Sequence, residues 1–195
     1  GVGDLPLIGV ATHDTASAFA GAPLVDRDSS LVCSLGTWAL VGAEAVGAVP
    51  DERAQARNIT HELGVDGTVR LLRNVCGMWL LEECRRTWAQ QDGIEPDVPS
   101  LLRAAADAPA FAAVFDVDAA DLAAPGQGPH TIEPHLVGSW DGGRGSMVRA
   151  ILESLVARIA LRAHEITELL GGARATMHVV GGASRMDMEI GRAHV

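Results

Sequence analysis

The sequence predicts a mixed α/β fold, and three observations support this prediction. Short apolar runs of strand length occur at residues 5–12, 31–42 and 177–180. Apolar side chains recur at helical spacing in residues 75–88 and 146–170. The chain has 195 residues, of which 48% are hydrophobic, so it can bury one sizeable core but hardly two. We therefore expect one α/β domain joined to a fragment of another.

The first predicted elements are a strand, a polar turn and a helix. The apolar residues 5–12 form the strand, and His13, Asp14 and Thr15 follow directly before the small residues 16–22. Polar residues at such a place ordinarily cap a helix by accepting hydrogen bonds from its first free N–H groups. On position alone, we expect Asp14 or Thr15 to be that cap.

A small antiparallel sheet is predicted next. Residues 31–42 contain two apolar runs broken at Gly36 and Thr37, which predicts two paired strands around a tight turn with room for a ligand. Residues 58–61 and 68–72 predict two further strands, because the Asp-Gly step between them is typical of a hairpin.

Helices and a glycine turn complete the predicted order. The periodic pattern predicts an amphipathic helix at residues 75–88, a weaker helix at 100–108 and a long helix at 146–170. A surface loop is predicted at 116–145 and a buried strand at 177–180. Gly171 and Gly172 end the long helix. Gly181 and Gly182 follow the last strand, where the lack of side chains lets the backbone approach a phosphate or a flat adenosine.

Composition argues against several classes of partner. Lys and Arg total 15 against 25 Asp and Glu, and a net charge of -10 opposes nucleic-acid binding. No apolar run reaches the roughly 18 residues of a membrane span, so we expect a cytoplasmic protein with no membrane partner. The glycine turns match neither a GxGxxG fingerprint nor a P-loop, and the chain contains no lysine to serve a P-loop.

The cysteines and histidines do not form a metal-binding pattern. Cys33, Cys76 and Cys84 are widely spaced without a CxxC pair, so we expect three reduced thiols in the core. His130 and His135 lie beside prolines, where a regular metal-binding helix face cannot form. We predict no metal site built from protein ligands alone.

Several polar motifs occur in one line, and their order is more specific than any one of them. These are HDT at residues 13–15, SLGTW at 34–38, RNVCGMWLLEECRRTW at 73–88 and VVGG at 179–182. The series resembles the FGGY carbohydrate kinases over nearly all of residues 5–186, and within that family it is most similar to the rhamnulokinases. The resemblance implies ATP-dependent phosphorylation of a ketose, with L-rhamnulose converted to L-rhamnulose 1-phosphate in L-rhamnose catabolism.

The resemblance also implies a fold and a division into lobes. FGGY kinases have an actin-like ATPase, ribonuclease H-like fold in which two α/β lobes close on ATP and sugar. Residues 1–27 would be the end of the first lobe, with the catalytic loop. Residues 28–187 would be a truncated second lobe, while the rest of the first lobe would supply the phosphate hairpin. We expect the 195-residue chain by itself to be inactive.

The resemblance assigns roles to eight residues of this sequence. Asp14 matches the catalytic base, which takes the proton of the sugar hydroxyl as the phosphoryl group is transferred. His13, Thr15 and Asn74, together with Asp14, would contact the sugar. The residues expected to contact ATP are Thr37, Glu82, Gly181 and Gly182. Glu82 stands where the family has a glutamine, and a carboxylate accepts hydrogen bonds where an amide can also donate them. Mg²⁺ would arrive bound to ATP.

Other interpretations stay open at this point. A fuculokinase or another FGGY sugar kinase could share the ATP-side motifs. A non-catalytic sugar- or nucleotide-binding homologue is a second alternative, because Glu82 and Ala183 depart from the family pattern. Residues 189–195 break the resemblance and match the translation of a common sequencing adapter, so we expect a non-native tail without functional residues.

Overall fold

A computed structural model describes residues 13–47, 52–126 and 128–185. The strand predicted at residues 5–12 and the tail predicted at 189–195 lie outside the described residues. The helices are α1 (Asp14–Gly21), α2 (Glu52–Ala56), α3 (Trp79–Asp92), α4 (Val98–Asp107), α5 (Pro129–Ile132) and α6 (Arg144–Leu170). The strands are β1 (Ser30–Leu35), β2 (Trp38–Val46), β3 (Thr60–Leu63), β4 (Thr68–Cys76), β5 (Ala113–Val114), β6 (Val137–Gly138) and β7 (Thr176–Val180).

Five of these strands form one sheet in the order β3-β4-β2-β1-β7. Neighbouring strands are antiparallel except for β1 and β7, which are parallel. Strands β5 and β6 form a separate two-stranded ribbon. Because β2 is antiparallel to both β1 and β4, strands β1, β4 and β7 point the same way. Their carboxyl ends therefore lie along one edge of the sheet.

Helices cover both faces of the sheet. Successive side chains of a strand point to opposite faces, so Leu71 and Leu72 of β4 lie on different sides. Leu71 belongs to the large core, which also contains Met147 and Ile151 of α6. Leu72 packs in a smaller cluster with Phe19 of α1. Helix α6 therefore covers one face, and α1 covers part of the other.

The structure confirms the predicted hairpins and the long helix. Strands β1 and β2 pair around Gly36 and Thr37. Strands β3 and β4 pair across a turn in which Asp66 and Gly67 have φ of 57° and 77°. Helix α6 ends at Gly171, whose φ of 69° lies in the region that glycine tolerates best.

The cap of α1 differs from the predicted one. His13 is the cap, because its Nδ1 accepts a hydrogen bond from the backbone N–H of Ala16 at 3.3 Å. Asp14 is already the first helical residue, and Thr15 is buried. The expectation that Asp14 or Thr15 caps the helix is therefore wrong, because the helix begins immediately after His13.

Helix α3 begins later than the apolar pattern predicts. The helix starts at Trp79, whereas Val75 and Cys76 are the last residues of β4. Both are buried, and the buried end of a strand has the same apolar character as the inner face of a helix. The periodic pattern therefore extended the predicted helix backwards across Gly77 into the strand.

Two other predictions are wrong in part. Residues 116–145 are not simply a surface loop, because they contain α5, β6 and the fully buried Leu122 and Ile132. Strand β7 is not a buried strand. It lies at an edge of the described sheet, and Val179 is 45% exposed. In the described part of the chain, no helix has the length and apolar character needed to cross a membrane.

Candidate functional site

The turn between β1 and β2 lies directly against the junction of β4 and α3. The carbonyl oxygens of Gly36 and Thr37 accept hydrogen bonds from the backbone N–H groups of Met78 and Trp79, both at 3.0 Å. A Cβ on Gly77 would lie 2.6 Å from the carbonyl carbon of Trp38, so this contact requires glycine. The side chain of Thr37 remains exposed, as a contact with a bound ligand requires.

Glu82 lies in the first turn of α3, close to this junction. Both of its carboxylate oxygens lie 2.8 Å from Nη1 of Arg85. Arg85 also reaches Glu95 at 2.8 Å and the carbonyl oxygen of Pro96 at 3.1 Å. The Glu82 carboxylate is thus engaged in an ion pair with a residue of its own helix.

The glycine turn after β7 lies beside the end of β1. Gly181 has a φ of 101°, and a Cβ at this position would lie 2.5 Å from the carbonyl oxygen of Leu35. A side chain at Gly181 would therefore strain the turn and clash with β1. Gly182 differs, because a Cβ there would meet no atom within 4 Å. Open space lies next to the backbone of Gly182.

Four of the predicted site residues lie along the same edge of the sheet. Thr37 and Gly181 follow the carboxyl ends of β1 and β7, and Gly182 comes next in the chain. Asn74 lies near the carboxyl end of β4 and is exposed. Ligands of open α/β sheets bind outside the carboxyl ends of the strands. The structure thus brings the predicted nucleotide turns and one predicted sugar contact to the edge where a ligand is expected.

The predicted catalytic segment lies at the start of α1. Asp14 is exposed in the first helical turn, and its carboxylate has no hydrogen bond or ion pair with another described residue. Nδ1 of His13 accepts a hydrogen bond, so the ring proton of the neutral imidazole is on Nε2, which lies 3.3 Å from Glu62. Thr15 is buried, so its hydroxyl is less accessible than the side chains of His13 and Asp14.

His13 and Asn74 are not brought together. Glu62 is directly opposite Arg70 on β4, and their side chains lie 3.3 Å apart. Arg70 precedes Asn74 by four residues, which corresponds to about 13 Å along a strand. The start of α1 therefore lies over the amino-terminal half of β4, whereas Asn74 lies near the carboxyl end.

The three cysteines are free and buried, as predicted. Burial raises the pKa of Cys33 and of Cys84 to about 12. Burial and the negative charge of Asp118 raise the pKa of Cys76 to about 11. These thiols stay protonated at neutral pH and are poor nucleophiles. Across residues 13–47, 52–126 and 128–185, no group of three or more His, Cys, Asp or Glu is placed to hold a metal ion.

One contact near the site was missed by sequence reasoning. Oδ1 of Asp118 accepts a hydrogen bond from the backbone N–H of Cys76 at 3.1 Å, and Oδ2 lies 3.0 Å from Arg162. Asp118 belongs to the acidic stretch that was interpreted as a loop. The available signal was the pair Arg158 and Arg162, two basic residues one turn apart on the long helix.

Comparison with known proteins identifies the family. Residues 31–189 match the model of the C-terminal domain of the FGGY family of carbohydrate kinases. The chain is 37% identical over 191 residues to a rhamnulokinase from Bacteroides thetaiotaomicron, covering 96% of this chain and 38% of that protein. It is also 37% identical over 182 residues to a rhamnulokinase from Pectobacterium carotovorum, covering 90% of this chain and 35% of that protein. The chain thus spans little more than a third of these relatives.

Solved structures show the same fold. The chain superposes on xylulose kinase from Bifidobacterium adolescentis with a TM-score of 0.60 and 19% identity, covering 90% of this chain and 33% of that one. It also superposes on the structure of Plasmodium falciparum glycerol kinase in complex with ADP. The TM-score is 0.58 and the identity is 13%, and the match covers 88% of this chain and 34% of that one. These likenesses confirm the predicted actin-like α/β fold. Together with the match over residues 31–189, they show that the chain belongs to the FGGY family of carbohydrate kinases.

Proposed function

We propose that this chain is part of an ATP-dependent sugar kinase that phosphorylates L-rhamnulose to L-rhamnulose 1-phosphate. The proposal concerns the longer protein, because the chain spans 38% of the rhamnulokinase from Bacteroides thetaiotaomicron. The similarity to that protein and to a second rhamnulokinase, each at 37% identity, supports this choice of sugar. The FGGY domain match supports the reaction class.

The observation that carries the proposal is the open backbone at the carboxyl ends of β1 and β7. The backbone of Gly181 packs against β1, whereas open space lies next to Gly182. A nucleotide can therefore lie directly on the backbone at Gly182. The exposed hydroxyl of Thr37 borders the same edge and can donate or accept a hydrogen bond. ATP supplies the phosphoryl group, and the Mg²⁺ that comes with it neutralises phosphate charge.

The sugar side of the proposal rests on Asp14. Its exposed carboxylate can take the proton of the acceptor hydroxyl as the new bond to phosphorus forms. His13 and Asn74 are exposed and can hydrogen-bond sugar hydroxyls, with Thr15 behind them. His13 lies over the amino-terminal half of β4, about 13 Å along the strand from Asn74, which is farther than one six-carbon sugar spans. In the described structure, the sugar contacts proposed for His13 and Asp14 are therefore separate from the one proposed for Asn74.

In this proposal, Glu82 can only accept hydrogen bonds from the nucleotide, whereas a glutamine could also donate them. Both carboxylate oxygens are held by Arg85, yet each oxygen has a second lone pair. Glu82 can therefore accept a hydrogen bond from a ribose hydroxyl but cannot donate one. The alternative of a non-catalytic homologue rests on the departures from the family pattern at Glu82 and Ala183.

A substrate panel tests the proposal. The complete protein that contains this chain is assayed for ADP release with L-rhamnulose, L-fuculose and D-xylulose, and nucleotide binding is measured in parallel. We expect kcat/KM to be highest for L-rhamnulose. A preference for L-fuculose would reassign the sugar, whereas ADP binding without turnover on any ketose would support the non-catalytic homologue.

A further inference from the structure

The outer edge of β4 loses its strand partner before the strand ends. Strand β3 pairs with β4 only as far as Thr60 opposite Leu72. Further along, the backbone N–H of Cys76 donates to Oδ1 of Asp118 at 3.1 Å. Cys76 is only 4% exposed, and a buried N–H without an acceptor is costly. The Asp118 side chain thus takes the place that a neighbouring strand would otherwise fill.

Asp118 is itself held firmly. Its Oδ2 lies 3.0 Å from Nη2 of Arg162 and 3.5 Å from Nε of Arg158, both on α6. Its backbone N–H donates to Asp116 at 2.9 Å. Arg162 is only 9% exposed and also binds both oxygens of Glu165, at 3.0 and 2.9 Å. One carboxylate therefore links the end of β4 to the long helix.

The residues that directly follow Cys76 contact the β1–β2 turn, which carries Gly36 and Thr37. Gly77 follows Cys76, and its backbone is so close to the β1–β2 turn that a Cβ would lie 2.8 Å from the carbonyl oxygen of Gly36. The next two N–H groups, of Met78 and Trp79, donate to the carbonyl oxygens of Gly36 and Thr37. A shift at Cys76 would move all of these contacts.

We propose that Asp118 is a positioning residue for the nucleotide site. It fixes the end of β4 and, through the Gly77 junction, the turn that carries Gly36 and Thr37. The link to nucleotide rests on the proposed kinase function, whereas the mechanical coupling from Asp118 to the turn does not. The described contacts of the Asp118 carboxylate are all with protein groups, so its effect should be on nucleotide affinity and not on the chemistry of transfer.

Two substitutions separate the two bonds of Asp118. Asp118→Asn keeps an oxygen that can accept from Cys76 but removes the charge facing Arg162. Asp118→Ala removes both. Asp92→Ala is the matched control, because Asp92 forms an ion pair with Arg144 between α3 and α6 and is distant in sequence from the β4 junction. If Asp118 positions the turn through Cys76, Asp118→Asn should keep the β1–β2 turn as it is in the wild type. If Asp118 acts only through its ion pairs, Asp118→Asn should behave like Asp118→Ala.

Hydrogen exchange tests the coupling without relying on activity. In the complete protein, amide exchange is measured in peptides covering residues 34–40 and 74–80. We expect Asp118→Ala to accelerate exchange in both peptides by about tenfold or more, since the buried N–H loses its acceptor. Asp118→Asn and Asp92→Ala should remain close to the wild type. Unchanged exchange in the 34–40 peptide of Asp118→Ala would overturn the proposal.

Kinetics of the complete protein test the consequence for nucleotide. We expect Asp118→Ala to raise KM for ATP about tenfold, with KM for the sugar within about twofold of the wild type. Asp118→Asn should restore KM for ATP to within about twofold. A lower kcat and melting temperature with an unchanged KM for ATP would show a folding role alone and would overturn the proposal. If the wild type transfers no phosphate, the proposed function fails, and hydrogen exchange still decides the role of Asp118.

A further pair of variants covers the case in which Asp118→Ala does not fold. Asp118→Asn and Arg162→Met each leave an acceptor for Cys76 while removing the ion pair. Both should lower the melting temperature and leave KM for ATP within about twofold of the wild type. A tenfold rise in KM for ATP in either variant would contradict the proposal, because the acceptor is still present.

Discussion

At the scale of single residues, the role proposed for the Asp14 carboxylate as general base is the easiest to test. A general base contributes roughly 10²–10⁴-fold to a rate, and the amide of asparagine has the same shape but cannot take a proton. We therefore expect Asp14→Asn in the complete protein to lower kcat by about that factor, with a modest change in KM for the sugar. Steady-state ADP release as a function of sugar concentration gives both quantities.

The control for Asp14 is an aspartate of similar exposure outside the site. Asp107 is exposed at the end of α4, and Asp107→Asn should leave kcat and both KM values unchanged. Turnover of Asp14→Asn close to that of Asp107→Asn would remove Asp14 from the mechanism. Loss of sugar binding in Asp14→Asn without loss of kcat would make it a binding residue only.

The buried thiols give a residue-scale prediction that depends on pH. Native Cys33 and Cys84 have a pKa of about 12 and Cys76 of about 11, whereas unfolded thiols ionise near their ordinary pKa of about 8.5. As the pH rises, the unfolded state loses these protons first. The contribution of the three thiols to the free energy of unfolding is therefore fully present below about pH 8.5 and is lost as the pH rises toward the native pKa values. Chemical denaturation at successive pH values should show the midpoint falling over this range.

Thiol labelling provides the independent check. At pH 8, a disulfide reagent should react slowly with the folded 195-residue chain and quickly with three thiols after unfolding in guanidinium chloride. Replacing one cysteine with alanine should lower the unfolded count by one and reduce the loss of stability at high pH. Rapid labelling of the folded chain would mean that these side chains are not enclosed in the core.

At the scale of elements, local signals predicted what local chemistry determines. The Asp-Gly step predicted the turn at Asp66 and Gly67, and a glycine pair predicted the end of α6, because both depend on which residues tolerate positive φ. The α3 boundary could not be predicted in this way. Val75 and Cys76 are buried in a strand and not in a helix because β2 pairs with them, which is a contact between distant parts of the sequence.

In the candidate site, too, some features could be predicted from local sequence, whereas others depend on contacts between distant parts of the chain. The order of motifs predicted which family the chain belongs to, and the structure brings Thr37, Gly181 and Gly182 to one edge through the parallel pairing of β1 and β7. The carboxylate of Asp118 was missed, because its partner Cys76 is 42 residues away in the chain and neither residue type suggests such a bond. The contact of His13 with Glu62 was likewise invisible before folding.

Two neighbouring glycines make the element-scale prediction. Gly181→Ala places a Cβ 2.5 Å from the carbonyl oxygen of Leu35 at a φ of 101°, and we expect it to destabilise the fold by about 1–3 kcal/mol. Gly182→Ala meets nothing within 4 Å and should leave stability nearly unchanged while weakening nucleotide binding. Chemical denaturation and calorimetric titration with MgADP measure the two effects separately.

Gly21 supplies the matched control for these glycines. It ends α1, and a Cβ there would also meet nothing within 4 Å. Gly21→Ala should change stability by no more than about 0.5 kcal/mol and leave the affinity for MgADP unaltered. Equal affinity for nucleotide in Gly182→Ala and Gly21→Ala would contradict the placement of a nucleotide at the end of β7.

At the scale of the whole molecule, charge and coverage bear on what the chain can do by itself. Its net charge is -10, because 25 Asp and Glu outnumber 15 arginines, so its overall field does not attract a triphosphate. Phosphoryl transfer depends on cationic groups around the phosphates and on alignment of the two reactants. The family match covers a C-terminal domain, and the chain spans 38% of a rhamnulokinase. We expect the remaining part of such a protein to supply the phosphate contacts.

The last prediction concerns activity of the isolated chain. Alignment of reactants alone contributes about 7–11 kcal/mol to catalysis, so a chain that binds one side of ATP without orienting its γ-phosphate should show no measurable transfer. We expect the purified 195-residue chain to release no ADP with ATP and L-rhamnulose above the background of the same mixture without protein. The complete wild-type protein is the positive control. Release of ADP by the chain that depends on sugar would show instead that these residues contain every group the reaction requires.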